Sequence, residues 1–291
     1  NWGDVLAHAN LLQVGNSQYW TDLGTQIHYK FMTLANIFSM GRLYTNTLFF
    51  NFIFFLGALQ LLKLFVHKQP QKKWLFVGAI FLLPSVLFWC SGIHKDGWVF
   101  MSICFTLYFA SAYLQHRKWI NLVYVFIFLL LLLDSRYFIF LSFIFPFLLW
   151  FLLHSHKYRT QLFVGGYVAG ILLLFVLASS SNINPFEIIL SKQKAFLHLH
   201  EKHDLNIEVL EPTLMSFLKA APTAMYHVLL KPDFHLTDGW KHQFAALDNR
   251  LIIACIILFL FFRRKRQPSD LFYTFLFVFA CSMYLFIGYT V

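Results

Sequence analysis

Between two long apolar runs, at 74–90 and 98–115, the sequence reads Phe88-Trp89-Cys90-Ser91-Gly92-Ile93-His94-Lys95-Asp96-Gly97-Trp98. So short a polar stretch between two apolar runs predicts the tip of a helical hairpin. Its glycines let the chain reverse, and its two outer tryptophans suit a membrane interface, where amphipathic rings prefer to lie. Charges this close to apolar spans are costly, so they indicate either interface anchors or functional groups.

The composition excludes a soluble domain of this size. Hydrophobic residues make up 59% of the 291, charged residues 12%, and the mean hydropathy is +0.62. These values are typical of a polytopic membrane protein. The four cysteines lie in or beside apolar runs and are not spaced as a metal site or a disulfide framework. Because the sequence starts at Asn1 and ends on an apolar run, we expect a trimmed chain that lacks an upstream helix.

The apolar runs predict an all-α helical bundle with about eight membrane spans. The spans lie near 45–66, 74–91, 97–115, 119–134, 137–154, 161–181, 249–263 and 270–290. The chain then divides into an outer segment 1–44, six spans in 45–181, a large polar loop 182–248 and two spans in 249–291. The fourth and fifth spans, split by Asp134-Ser135-Arg136, could instead be one broken segment, which would invert the topology after it.

The outer segment 1–44 contains an amphipathic pattern. Apolar residues recur at three- and four-residue steps, at Trp20, Leu23, Ile27, Phe31, Leu34 and Phe38. This spacing predicts a helix that lies on the membrane surface, with an N-cap at Asn16-Ser17 and a stop at Gly41.

The charges predict the orientation of the spans. Short loops on one side, with Lys63, carry 12 of the 23 Lys and Arg residues and only one acid, Asp270. By the positive-inside rule these loops are cytoplasmic. The segment 1–44, the tips near residues 94 and 135, and the loop 182–248 then face outside. The net charge of +10 is therefore a topology signal and does not predict nucleic-acid binding.

The loop 182–248 reads as two helices, which begin at Asn184-Pro185 and at Pro212. Their apolar faces predict that the loop folds back onto the membrane surface or the helix bundle. The loop also holds His198, His200 and His203, but their spacing does not fit a metal site: on a helix, positions 198 and 200 point about 200° apart. We therefore predict no metal ligands here.

Charged side chains gather at the predicted outer ends of the spans. The cations are Arg42, Lys95, Arg136 and Arg250, and the acids are Asp96, Asp134 and Asp248. Cations at a membrane boundary suit a lipid pyrophosphate, because Arg offers bidentate contacts and Lys a point charge. A nearby carboxylate, from Asp96 or Asp134, would deprotonate a sugar hydroxyl. The alternative is that these residues form hairpin ion pairs and helix caps.

The pattern Pro84-x4-Trp89-x-Ser91-Gly92-x-x-Lys95-Asp96 resembles a hairpin in bacterial proteins of surface-polysaccharide assembly. These are the O-antigen or exopolysaccharide polymerase-like proteins and the related GT-C type glycosyltransferases. The resemblance implies inverting sugar transfer from a polyprenyl-(pyro)phosphate carrier on the outer face of the bacterial inner membrane, or polymerisation of carrier-linked repeat units. It marks Lys95 and Asp96 as functional. The paired acids of the GT-C first outer loop are absent, since Gly3-Asp4 offers one acid, so the catalytic base and metal dependence stay open.

Together these features predict a membrane glycosyltransferase or polysaccharide polymerase. Lys95, Arg136, Arg42, His94 and Arg250 are the candidate substrate-binding residues, and no cofactor is predicted. The expected partners are a polyprenyl-phosphate-linked sugar, membrane lipids and other polysaccharide-assembly proteins. Two alternatives remain: a transporter or flippase of lipid-linked sugars, and a non-catalytic assembly subunit.

Overall fold

The computed structural model describes residues 26–156, 158–180, 189–190, 193–194, 210–211, 213–230, 240–262 and 270–290. Every regular element in these residues is helical, as predicted. The helices are α1 (Gln26–Ser39), α2 (Leu43–Lys68), α3 (Lys73–Phe81), α4 (Pro84–Trp89), α5 (Lys95–His116), α6 (Trp119–Ser135), α7 (Tyr137–Leu153), α8 (Arg159–Ser180), α9 (Leu214–Leu230), α10 (Trp240–Phe262) and α11 (Leu271–Thr290). The chain forms two compact units, Asn1–Phe140 and Leu141–Val291.

Three helices are long and apolar enough to cross a membrane by length and composition. They are α2, α5 and the part of α11 from Leu271 to Tyr289. The apolar helices α6 and α7 have 17 residues each, a length of about 25 Å against a hydrocarbon core of about 30 Å. The chain is therefore a membrane protein with three candidate spans among the residues described.

The first unit is built around α5. Its aromatic side chains stack on those of α6, with ring centroids 4.5 Å apart for Phe105 and Phe128 and 4.6 Å apart for Phe109 and Tyr124. Because the residue numbers rise on one helix as they fall on the other, α5 and α6 are antiparallel. The end of α6 therefore lies beside the start of α5.

Helices α2 and α5 run parallel and approach closely. A Cβ on Gly97 would collide with the ring of Phe54, and a Cβ on Gly57 would come within 2.9 Å of Met101 Cα. Small residues at such positions let helix backbones approach in a membrane. This register places the first turn of α5 beside the middle of α2.

The prediction of one helix over 74–91 is wrong. The structure has two short helices, α3 with 9 residues and α4 with 6. Pro84 starts α4, and Leu83 before it is extended, with φ −66° and ψ 126°. A proline disfavours the helical conformation of the preceding residue and lacks a donor for the preceding turn, so the helix breaks here.

Only part of the apolar side of α1 packs against the protein. Ala35 and Ser39 are buried, with Phe31 packed beside them, whereas Leu34 and Phe38 are exposed. The helix packs antiparallel along the first turns of α2, where Asn46 Nδ2 donates to Asn36 Oδ1. The predicted stop is confirmed, since Gly41 has φ 74° just after α1 ends. The predicted N-cap at Asn16-Ser17, with Trp20 and Leu23, lies outside the residues described.

The second unit packs α7, α8 and α9 against α11. The Trp150 ring on α7 stacks on Phe275 of α11 at 5.4 Å, and Tyr167 of α8 shares a hydrogen bond with Ser282. Helix α9, from the predicted polar loop, packs on the end of α11, where Tyr289 Oη donates to the Phe217 carbonyl at 3.0 Å. This confirms that part of the loop folds back onto the helices.

Candidate functional site

The first turn of α5 contains both residues that the sequence marked most clearly. Helix α5 begins at Lys95, with Asp96 in its first turn and His94 at the N-cap position. Free backbone N–H groups and the helix dipole make a helix N-terminus favourable for an anion. Asp96 suits this place, whereas Lys95 is repelled by the dipole.

Arg136 reaches this turn from the end of α6. Its Nη2 lies 3.1 Å from Asp96 Oδ1, and the two side chains are 37% and 36% exposed. The guanidinium also lies over the Phe138 ring, 5.6 Å from its centroid. Antiparallel packing of α5 and α6 creates this contact across 40 residues of sequence. It confirms that the turns near residues 95 and 135 come together.

Arg136 keeps unused donors. A guanidinium has five N–H donors, and one hydrogen bond goes to Asp96. The Nε atom is buried, and no acceptor reaches it among the residues described.

His28 belongs to the same cluster, although sequence reasoning did not single it out. Its ring packs edge-on against Phe50 of α2, with centroids 5.5 Å apart. The pKa of His28 is lowered, first by partial burial and then by the positive charges of Lys95 and His94. The available signal was its spacing, because His28, Phe31 and Ala35 fall on one face of α1.

The other predicted residues lie in different places. Asp134 is half-buried in the last turn of α6 and makes contacts of its own. Arg42 is the exposed residue just before α2. Phe54 lies level with Gly97 at the start of α5. Along α2, Arg42 is about 18 Å from Phe54. The structure therefore does not bring Arg42 to the ion pair.

Arg250 and Asp248 belong to the second unit. Both are on α10, which starts at Trp240, nine residues before the predicted span. Arg250 is exposed, whereas Asp248 is only 6% exposed. Both residues therefore lie inside a helix that begins before the predicted span, and not at its first turn.

The prediction that the histidines of the loop 182–248 bind no metal is not tested. His198, His200 and His203 lie outside the residues described. Within the described part of the chain, no group of three or more His, Cys, Asp or Glu side chains could hold a metal ion.

Comparison of the chain with protein-family models, curated proteins and solved structures gives no match. Any function therefore has to be argued from the cluster itself. Its core is Lys95, Asp96 and Arg136, with His28 and His94 nearby.

Proposed function

We propose that this protein is a glycosyltransferase or polysaccharide polymerase that uses a polyprenyl-(pyro)phosphate-linked sugar. In this proposal it spans the bacterial inner membrane about eight times, among membrane lipids and other polysaccharide-assembly proteins. The cluster at the start of α5 faces the outer side. The observation that carries the proposal is the meeting of Arg136, Lys95 and Asp96 at one end of apolar helices.

The charge of the cluster supports binding of a phosphate group. Lys95 and Arg136 are cations, Asp96 is one acid, and the positive end of the α5 dipole adds to the cations. Arg is well suited to phosphate because its planar fork makes two parallel hydrogen bonds. The Arg136 side chain is 37% exposed, and its hydrogen bond to Asp96 uses one of five donors, which supports such a contact.

The surroundings of the cluster support a lipid-linked ligand. The Asn51 side chain on α2 donates to the Ser91 carbonyl at 3.4 Å, which fixes the turn before α5 to α2. Phe52 and Phe88, close to these residues in sequence, are 63% and 46% exposed. A polyprenyl chain would lie against such apolar side chains while its phosphate reached the cluster.

The reaction would be a displacement at the anomeric carbon of the donor sugar. The acceptor hydroxyl oxygen forms the new bond to that carbon, and the bond to the carrier phosphate oxygen breaks. The phosphate leaves with the electron pair, and Lys95 and Arg136 stabilise its charge. Asp96 or Asp134 accepts the hydroxyl proton as general base.

The test is a set of conservative substitutions, Lys95→Gln, Asp96→Asn, Asp134→Asn and Arg136→Gln, in cells that make the polymer. Polymer length and lipid-linked intermediate on each face of the membrane are measured. The matched control is Lys118→Gln, since Lys118 is an exposed cation just before α6. We expect Lys95→Gln and Arg136→Gln to stop polymer formation and to leave intermediate on the outer face.

Two other outcomes would contradict the proposal. Accumulation of intermediate on the cytoplasmic face would indicate a flippase. Unchanged polymer in all four variants would indicate a non-catalytic subunit.

A further inference from the structure

We propose that His28 belongs to an anion site formed with Lys95, Asp96 and Arg136. Its imidazole ring takes up a proton when a phosphate-bearing ligand binds. This inference rests on the proposed function for the class of ligand. It adds a residue from the N-terminal segment and a dependence of binding on pH.

The packing of α1 places His28 at the level of the site. Asn46 of α2 contacts Met32 and Asn36 of α1, while Phe50 contacts His28. Helix α1 is therefore antiparallel to α2, with residue 28 beside residue 50. Helices α2 and α5 are parallel and Phe54 lies beside Gly97, so Phe50, one turn earlier, lies beside the start of α5. His28 is therefore at this level too.

A second set of contacts fixes α1 to α5 directly. The Phe31 ring packs edge-on against Trp98 at 4.9 Å, and Phe50 packs against the same indole at 5.8 Å. Trp98 lies three residues after Lys95, and Phe31 three residues after His28. This core cluster holds His28 within electrostatic reach of Lys95 and His94.

The charged groups around His28 are mainly cations. His94 and Lys95 face it from α5, next to Asp96, which pairs with Arg136. Asp134 is near the end of α6, and Lys30 is the charged neighbour on α1. The stretch of α2 that packs on α1 contributes Asn46 and Phe50 and adds no charge there.

The sign of the pH dependence follows from this arrangement. Without an anion, burial and the cations hold the His28 pKa below 6.5, so the ring is neutral at pH 7. A bound phosphate group offsets the cations and raises the pKa, so the ring takes up a proton. Ligand affinity therefore rises as the pH falls, by up to about tenfold per pH unit for one linked proton.

The experiment measures ligand binding to the purified full chain in detergent by calorimetry. Inorganic pyrophosphate and farnesyl pyrophosphate are the probes, from about pH 5.5 to about pH 8, the interval in which histidine titrates. The proteins are wild type, His28→Gln, His28→Lys and His94→Gln, with His116→Gln as a control at the far end of α5. Ionisation of the probe is common to all proteins, so differences between them isolate the protein group.

We expect the His28→Gln protein to lose the extra affinity at low pH and to match wild type at high pH. The His28→Lys protein should keep tight binding throughout, because its charge does not titrate in this interval. In wild type, titration in two buffers of different ionisation enthalpy should show proton uptake on binding. This measurement needs no variant, so it tests the proposal even where a substitution disturbs folding.

The outcomes separate the two proposals. Binding without proton uptake in wild type, or a slope that disappears in His94→Gln and not in His28→Gln, overturns the role of His28 alone. Absence of binding of either probe at every pH overturns the anion site and the proposed function with it. Tighter binding of farnesyl pyrophosphate assigns the anion to a lipid. Equal binding assigns it to a soluble phosphate, which keeps the role of His28 and contradicts the lipid carrier.

Discussion

At the scale of single residues, exposure decides how the Arg136–Asp96 pair is interpreted. Each side chain is more than one-third exposed. Ion pairs this accessible to solvent contribute only about 0.2–1 kcal/mol to stability. The pair therefore adds little to holding α5 and α6 together, which their stacked aromatic rings do. The proposed function assigns the pair a role in ligand binding instead.

The first prediction separates stability from activity at Asp96. Asp96→Asn keeps the shape of the side chain and removes its charge. We expect the free energy of unfolding to change by less than about 1 kcal/mol. The rate of sugar transfer should fall at least about hundredfold if Asp96 is the general base. Unfolding in detergent and initial rates in proteoliposomes measure the two quantities.

Asp134→Asn is the matched comparison for this prediction. It removes an equivalent charge two residues before Arg136. Loss of rate in Asp134→Asn alone would transfer the role of base to Asp134. Full rate in both variants would exclude a carboxylate base at this site.

The sequence predicted Lys95, Asp96 and Arg136 as candidate site residues. Each is a charged residue in a very short turn between apolar runs, which can be seen without knowing its neighbours in space. The topology from the positive-inside rule then placed both turns on one side, and the structure brings them into contact. His28 could not be found in this way. Its proximity to Lys95 depends on the register between α1, α2 and α5, which is set by long-range packing of Phe31, Phe50 and Trp98.

At the scale of helices, proline and glycine determine features that hydropathy alone does not predict: where a helix breaks and where two helices pack closely. The run at 74–91 is apolar throughout, so hydropathy predicts one span, yet Pro84 divides it into α3 and α4. The apolar stripe of α1 is wide, and sequence spacing did not show which part of it faces α2. Gly57, Gly97 and Gly288 lie where a neighbouring helix leaves no room for a Cβ, a role that the sequence analysis did not assign to them.

The second prediction concerns Gly288, where α9 lies directly against α11. A Cβ at this position would collide with the Ala224 carbonyl oxygen, a backbone atom that cannot rotate away. We expect Gly288→Ala to destabilise the second unit and to increase protease cleavage of α9. In Gly165→Ala the new Cβ meets no atom within 4 Å, so the higher helix propensity of Ala should stabilise α8 by up to about 1 kcal/mol. Equal effects of the two substitutions would contradict the packing of α9 on α11.

The third prediction concerns Trp98, the residue that joins α1, α2 and α5. It is 6% exposed and contacts Phe31, Phe50 and Phe54. We expect Trp98→Ala to lower the free energy of unfolding by about 3–5 kcal/mol, as for other large core aromatics. It should also weaken the pH dependence of anion binding, because α1 is no longer held against α5. Trp119→Ala is the control, since Trp119 is 77% exposed, and it should cost less than about 0.5 kcal/mol.

At the scale of the whole molecule, composition predicted the class of protein better than the number of spans. The apolar content made a helical membrane protein the clear expectation, and the described helices confirm it. The number of spans depends on helix length. A break such as the one at Pro84 shortens a helix without changing the hydropathy of the sequence. The proposed orientation rests on the basic residues of the short loops. In the first unit, Lys68 lies at the end of α2 and Arg117 just after the end of α5, which is the end of α5 opposite the candidate site.

The fourth prediction tests that orientation within the first unit. Helix α5 has 22 residues, about 33 Å of helix, which matches a hydrocarbon core of about 30 Å. Its first turn and the end of α6 should therefore face one side of the membrane, and the turn between them the other. Single cysteines are introduced as Ser91→Cys, Ser135→Cys and Lys118→Cys in a chain whose four native cysteines are replaced by serine. Intact cells are treated with a membrane-impermeant maleimide.

We expect the cysteines at 91 and 135 to react in intact cells and the cysteine at 118 to react only after the membrane is permeabilised. Ser91 is exposed and should react faster than Ser135, which is half-buried and donates to the Leu131 carbonyl. Reaction of 91 and 135 from opposite sides would contradict the packing of α5 on α6. Reaction of both only from the cytoplasm would leave the ion pair intact but place it beyond the reach of any sugar presented outside. The outward-facing transferase would then be excluded, because donor and acceptor would meet on the side of the membrane without these cations.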